Sequence, residues 1–154
     1  MLTINDKMPN FEILTDKGDF KVSNHIGKKI VVFFFPRADT SGCTAESIAF
    51  TNLQKKFEKL NCIVIGISKD NSKKQGKFRE KYNLKCELGA DFENNVCEQF
   101  GVWVEKTMYG KKYMGIQRST FLSNEHGIIT NIWEKVKVPG HAEEVLETVK
   151  SLNS

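Results

Sequence analysis

One stretch constrains this chain more than any other: Lys29-Ile30-Val31-Val32-Phe33-Phe34-Phe35, closed by Pro36. A near-continuous run of β-branched and aromatic residues, with no polar alternation, is the pattern of a strand buried on both faces inside a parallel sheet. A second such run, Cys62-Ile63-Val64-Ile65-Gly66-Ile67, follows a segment from Ala45 in which Ile48, Ala49, Leu53, Phe57 and Leu60 recur at helical spacing. Strand, helix and strand in this order predict a βαβ unit whose strands run parallel. Residues 1–154 read as a single domain. A domain of this length buries about 70% of the surface its unfolded chain exposes, so it needs neither a metal nor a disulfide to close its core.

The remaining elements arrange themselves around this unit. Phe11 to Val22 predicts a hairpin turning at Asp16-Lys17-Gly18. Helices are expected from about Asn71 to Tyr82 and, shorter, from about Phe92 to Phe100. Short strands follow at Tyr113–Ile116, Ser119–Ser123 and Ile128–Glu134, the last two joined by a turn at Asn124-Glu125-His126-Gly127. A final helix from about His141 to Leu152 carries the stripe Ala142, Val145, Leu146 and Val149. A βαβ half, a β-hairpin and a terminal helix give the thioredoxin-like order. The predicted class is therefore α/β, a central mixed sheet flanked by helices, with the N-terminal hairpin as an addition.

Charge and hydropathy exclude several functions. Lys and Arg number 23 against 19 Asp and Glu, a net charge of +4. The basic pairs Lys28-Lys29, Lys55-Lys56, Lys73-Lys74 and Lys111-Lys112 are scattered and interrupted by acids, the pattern of solvated surface rather than of a nucleic-acid footprint. The longest apolar run, Ile30 to Phe35, has six residues, against about 20 for a membrane span. The opening Met1-Leu2-Thr3-Ile4-Asn5-Asp6 shows no basic segment leading into an apolar one, and no Asn-x-Ser/Thr site occurs, so a cytoplasmic location is expected. The four cysteines, at 43, 62, 86 and 97, form no Cys-x-x-Cys, which argues against a zinc ribbon or a dithiol motif. His25, His126 and His141 are isolated and expected at the surface, and no Gly-rich phosphate loop appears. No metal, nucleotide or other cofactor is expected.

Chemistry concentrates in Phe35-Pro36-Arg37-Ala38-Asp39-Thr40-Ser41-Gly42-Cys43-Thr44-Ala45-Glu46. This segment joins the carboxyl end of a buried strand to the start of a helix, where α/β sheets build their ligand sites. Cys43 falls in the first helical turn, where unpaired amides and the positive end of the helix dipole favour an anion, here a thiolate. A lone cysteine is also a small apolar residue that packs beneath helices. Polar Thr40 and Ser41, followed by Gly42, favour the chemical reading over that one.

The spacing Pro36-x-x-x-Thr40-x-x-Cys43 is similar to the Pro-x-x-x-Thr-x-x-Cys signature of the peroxiredoxins. Thr40 to Glu46 resembles the peroxiredoxin Q, or bacterioferritin comigratory protein, branch, which usually has Pro where this chain has Ser41. The likeness extends to Pro9-Asn10-Phe11, Gly101-Val102-Trp103, Tyr109 to Ile116 and Arg118-Ser119-Thr120-Phe121-Leu122. It implies a peroxidase for hydrogen peroxide and organic hydroperoxides, in which Cys43 attacks the peroxide and becomes a sulfenic acid. It assigns the Thr40 hydroxyl and the Arg118 guanidinium as donors to the thiolate and the peroxide, and Pro36 as a shield of the sulfur from water. It also implies recycling by thioredoxin or another thiol donor, and a monomer. Ionisation alone does not suffice. Raising a thiolate fraction from about 3% to near unity gains about 30-fold, on the order of 2 kcal/mol. Donors aimed at the breaking O–O bond must supply the rest.

The pattern breaks at the second cysteine. Some branch members carry a resolving cysteine five residues after the first, where this chain has Ile48; others carry it on the next helix, near Arg79 by alignment. Cys62 and Cys97 lie in apolar surroundings and read as core, as do Phe92, Phe100 and Trp103. Cys86 is then the candidate resolver, provided its Cα lies within about 7 Å of that of Cys43. Without one, an outside thiol must reduce the sulfenic acid before it oxidises further. A competing reading is a thioredoxin-like binding module without turnover. The intact set Thr40, Cys43 and Arg118 argues against it.

Overall fold

The apolar run at Lys29–Phe34 forms the centre of the molecule in the computed structural model, which describes residues 2–152. In chain order the strands are β1 (Glu12–Thr15), β2 (Gly18–Lys21), β3 (Lys29–Phe34), β4 (Cys62–Ser68), β5 (Glu87–Ala90), β6 (Trp103–Met108), β7 (Lys111–Ile116), β8 (Ser119–Ser123) and β9 (Ile129–Trp133). The helices are α1 (Ser41–Asn52), α2 (Gln54–Lys59), α3 (Ser72–Tyr82), α4 (Val96–Gln99) and α5 (His141–Leu152), with a 3-10 turn at Val22–His25.

Seven strands form one mixed sheet in the order β2-β1-β5-β4-β3-β8-β9. Strands β3, β4 and β5 run parallel, while β8 lies antiparallel to β3 and β1 antiparallel to β5. The expected N-terminal hairpin is present and extends the sheet beyond β5. Every residue of β3 is buried, and its alternate side chains feed two cores. Val31 and Phe33, with Phe35 just beyond the strand, pack with Cys43, Phe50 and Val145 under α1, α2 and α5. Val32 and Phe34 pack on the other face with Phe11, Phe100 and Phe121.

The structure corrects several expectations. The helix foreseen from Ala45 starts at Ser41 and breaks at Leu53, giving α1 and α2. Strand β5 has only four residues, and β6 is largely solvent-facing, so neither gives the apolar signal of a buried strand. Helix α4 covers Val96–Gln99 rather than the longer Phe92–Phe100, and Phe92 is 62% exposed. The Lys28-Lys29 pair is solvated only in part. Lys29 is buried, its Nζ donating to the Leu60 carbonyl (2.9 Å) and pairing with Glu125 (3.2 Å). His141 is buried too, its ring at 2.8 Å from the Thr120 hydroxyl and edge-on to Phe50 and Trp133, and burial lowers its pKa.

Gly66 in β4 leaves room for the Phe33 ring, which stacks on Phe50 with centroids 4.5 Å apart. A Cβ at position 66 would overlap that ring, and both rings are fully buried. Gly66→Ala is therefore expected to destabilise the fold by about 1–3 kcal/mol. Thermal denaturation should show a midpoint several degrees lower, and an unchanged midpoint would contradict the packing described.

Candidate active site

Pro36 ends β3 at the surface, after Phe35 has extended the pairing by one residue through its amide bond to the Ile67 carbonyl (3.0 Å). The loop that follows is tied down at two points. The Ala38 amide donates to Asp70 (2.7 Å), which also accepts from the Ser68 hydroxyl (2.6 Å). Asp39 adopts a left-handed backbone (φ 63°), a conformation that short polar residues tolerate. Its carboxylate accepts from the Tyr82 hydroxyl (2.6 Å) and pairs with Lys81 (3.0 Å), and these bonds lower its pKa, Tyr82 foremost. Thr40 occupies the N-cap of α1 but does not cap it: its hydroxyl donates to the Arg37 carbonyl (2.9 Å). No side chain caps the first turn, so the amides around Gly42 and Cys43 remain available to an anion.

The inward face of α1 reads Cys43, Glu46, Ser47 and Phe50, spaced by three and four residues. Arg118, between β7 and β8, reaches this face. Its Nη2 lies 3.2 Å from Cys43 Sγ, and its Nη1 donates to Glu46 Oε1 at 2.6 Å. The Arg118 carbonyl accepts from the Val136 amide (3.0 Å), and the Gln117 amide donates to the Val102 carbonyl (2.8 Å), so the backbone on either side is held. Gly42 permits the close approach, because a Cβ there would sit 3.3 Å from Arg118 Nη2. Cys43 itself has no exposed surface. A guanidinium at this distance stabilises negative charge on sulfur more strongly than a neutral donor does. Lys106 on β6 adds a further positive charge near both Arg118 and Cys43, and burial, then repulsion by Arg118, lowers its pKa. Among the described residues, no group of three or more His, Cys, Asp or Glu is placed to hold a metal ion.

The structure thus brings Cys43 and Arg118 together, and adds Glu46. Thr40 lies at the edge of the site with its proton on Arg37, and Pro36 is exposed at the mouth of the loop. Cys86 is fully buried at the start of β5, where loss of solvent pushes its thiol up to about 12. Cys62 is likewise pushed up to about 12 and Cys97 also upward, and all four cysteines are free thiols. At the position aligned with a helix-borne resolving cysteine, Arg79 clamps Asp16 (2.6 and 3.2 Å) and the carbonyls of Leu84 and Cys86 (2.8 and 2.9 Å). Glu46 was legible only as the residue one helical turn beyond Cys43.

Burial outweighs the attraction of Arg118 and raises the Glu46 carboxyl from 4.5 to about 7. Its Oε2 is buried without a hydrogen-bond partner, which a neutral carboxyl tolerates better than a carboxylate. Between those two pH values the native state holds a proton that the unfolded chain has released. Stability should therefore fall as pH rises from about 4.5 to about 7, by at most about 3 kcal/mol. Urea midpoints at pH 5 and pH 8 test this: Glu46→Gln should show a smaller difference between them than the wild type. Equal pH dependence in both proteins would remove Glu46 as the titrating group.

Comparison with known proteins identifies the family. The sequence matches the AhpC/TSA family over residues 4–132. It is 44% identical to a protein of Coxiella burnetii named putative peroxiredoxin bcp, over 94% of this chain and 97% of that one. Against peroxiredoxin Bcp of Bacillus subtilis the identity is 42%, covering 99% and 98%. The solved structure of the bacterioferritin comigratory protein of Xanthomonas campestris superimposes with a TM-score of 0.91 at 32% identity, covering 99% of this chain and all of that one. A thiol paired with a guanidinium at a helix N-terminus, on a thioredoxin-like sheet and in a sequence this similar, places the chain in the AhpC/TSA family, among the peroxiredoxins of the Bcp type.

Proposed function

We propose that the chain is a thiol peroxidase that reduces hydrogen peroxide and organic hydroperoxides through Cys43. The observation that carries this reading is the 3.2 Å contact between Arg118 Nη2 and Cys43 Sγ at the open N-terminus of α1. The thiolate attacks one peroxide oxygen, an S–O bond forms and the O–O bond breaks. Sulfur is left as a sulfenic acid, and the leaving oxygen takes a proton to become water or an alcohol. Negative charge moves from sulfur toward the leaving oxygen, so the donors that matter are those spanning both positions. Arg118 and the amides of Gly42 and Cys43 meet that requirement. Thr40 joins them on this reading when a χ1 rotation carries its hydroxyl from the Arg37 carbonyl to the substrate. Pro36, which has no N–H to hold water, screens the approach. The Xanthomonas campestris relative was studied for alkyl peroxide reduction, which supports organic hydroperoxides as substrates.

Regeneration by an outside thiol follows from the remaining cysteines. Resolution needs a thiolate, and a thiol raised to about 12, as Cys86 is, supplies about one part in 10⁵ at pH 7. With Cys62, Cys86 and Cys97 all buried, this reading gives a one-cysteine cycle fed by thioredoxin or a similar donor. The reacting groups all belong to one chain, which supports a monomer as the working unit. Among the described residues no helix is long and apolar enough to cross a membrane, and four free thiols fit a reducing compartment such as the cytoplasm.

Intact-mass analysis after one equivalent of hydrogen peroxide tests the reading. A sulfenate adduct of a trapping reagent should form in the wild type and in Cys86→Ser, and disappear in Cys43→Ser. Arg118→Ala should slow sulfenate formation by about 10²–10³-fold. Loss of two hydrogens, with Cys43 joined to Cys86, would overturn the one-cysteine cycle. No rapid modification of Cys43 would overturn the peroxidase.

A further inference from the structure

The ribbon β6–β7 stands apart from the seven-stranded sheet as a two-stranded sheet of its own. Its outer half exposes Met108 (55%), Tyr109 (98%), Tyr113 (42%) and Met114 (48%), half of the large apolar side chains exposed among the described residues. Clustered apolar groups of this kind mark a surface that another body covers. Register shows which way the ribbon faces. Lys106 pairs with Tyr113 and Met108 with Lys111, so these four side chains share one face. That face leads to the reaction site: the Lys106 ammonium donates to the Ile116 carbonyl and feels the charges of Arg118 and Cys43. Arg118 follows two residues after β7 ends.

We propose that the β6–β7 ribbon docks the protein that supplies the reducing thiol, a partner whose apolar contact face is rimmed by carboxylates. The inference rests on the peroxidase reading and names the partner of that site. Three observations select this occupant. The other cysteines are buried, so the electrons that restore Cys43 come from another molecule, which must bring a sulfur up to a residue with no exposed surface. On that face the ribbon carries Lys106 and Lys111 and no carboxylate, while Lys112 pairs with Glu105 (3.7 Å) on the opposite face, so the docking face attracts an acidic rim and repels a second copy of itself. Its exposed apolar side chains, Met and Tyr, are the types enriched where small transient complexes gain their affinity. In the docked complex a partner thiol attacks the sulfenic sulfur, forming a mixed disulfide and releasing water. A second partner thiol then attacks that disulfide, so Cys43 leaves as a thiol and the partner departs oxidised.

The test uses two surface variants, Met108→Ser/Tyr109→Ser and Lys111→Glu, with thioredoxin or dithiothreitol as reductant. Each variant should raise the KM for thioredoxin about tenfold, a loss of about 1.4 kcal/mol. Turnover with dithiothreitol and the rate of sulfenate formation should stay at wild-type values. Added salt should raise the thioredoxin KM of the wild type more than that of the lysine variant. An unchanged KM for thioredoxin would overturn the docking surface, as would turnover with dithiothreitol but none with thioredoxin. Light scattering that shows a wild-type dimer dissociated by the variants would reassign the ribbon to self-association. Cosedimentation with phosphatidylglycerol vesicles, lost in the variants, would reassign it to a membrane surface. A wild type inactive even with dithiothreitol would overturn the peroxidase reading itself, a result distinct from all of these.

Discussion

Arg118 is a permanent cation with most of its side chain out of water, and it divides its donors between a carboxyl at 2.6 Å and a sulfur at 3.2 Å. Removing a guanidinium from water costs several kcal/mol unless other groups replace the lost hydration. The two groups that do so lie 72 and 75 residues away along the chain. Their meeting depends on the β3–β8 ladder. Phe34 pairs with Ser119, so Arg118 emerges beside the end of β3, one short loop from the start of α1. A slip of that register by one residue would turn every β8 side chain to the opposite face and separate the guanidinium from the thiol. The continuous apolar run of β3 and the buried residues of β8 hold the register, and the chemistry inherits its precision from them.

Glu46 tunes what Arg118 delivers. A fully charged carboxylate at 2.6 Å would draw the guanidinium's field toward itself and leave less for sulfur. A carboxyl raised to about 7 by burial is largely neutral below neutrality and ionises above it. It therefore orients Arg118 by hydrogen bonding while leaving much of the positive charge for the thiolate and for the oxygen that departs from it. The same burial that weakens Glu46 as a counter-ion is what makes the Arg118–Cys43 contact electrostatically strong.

The loop before α1 solves a related problem. An ordinary N-cap would occupy an amide of the first turn with a threonine oxygen. Here Thr40 turns to the Arg37 carbonyl, and the loop takes its rigidity from Asp39 bound to α3 and Ala38 bound to Asp70. The anchoring is moved outside the helix, and the helix end is left free to bind an anion. Closure has its own consequence. A sulfur with no exposed surface meets a peroxide of two heavy atoms far more easily than a folded protein that must return two electrons. Access by the reductant, rather than attack on the peroxide, is the step that the architecture makes difficult.

Sequence patterns revealed what the core requires and only part of what the site requires. Strands β3 and β4 were visible because every residue in them serves packing. Helix α5 was visible for the same reason: His141, which joins Ala142, Val145, Leu146 and Val149 on its buried face, is the single polar exception. Cys43 and Arg118 were legible from their motifs. Helix α1 was read one step out of phase: Ile48 and Ala49 looked like its buried stripe but are half-exposed, while Glu46 and Ser47 are buried. Apolar periodicity locates an inward face only where that face is apolar, and here it was given to chemistry. Lys29 follows the same logic, since a lysine opening a buried strand looks like surface until Leu60 and Glu125 are seen to hold its ammonium. Phe92 and the tip of β6–β7 reverse it: residues that composition assigns to a core stand in solvent, Phe92 just past the carboxyl end of β5. In α1, which carries Cys43, local preference and global fold disagree because a second requirement acts on the same residues, while Lys29 stands at the opposite end of β3, held by its own partners.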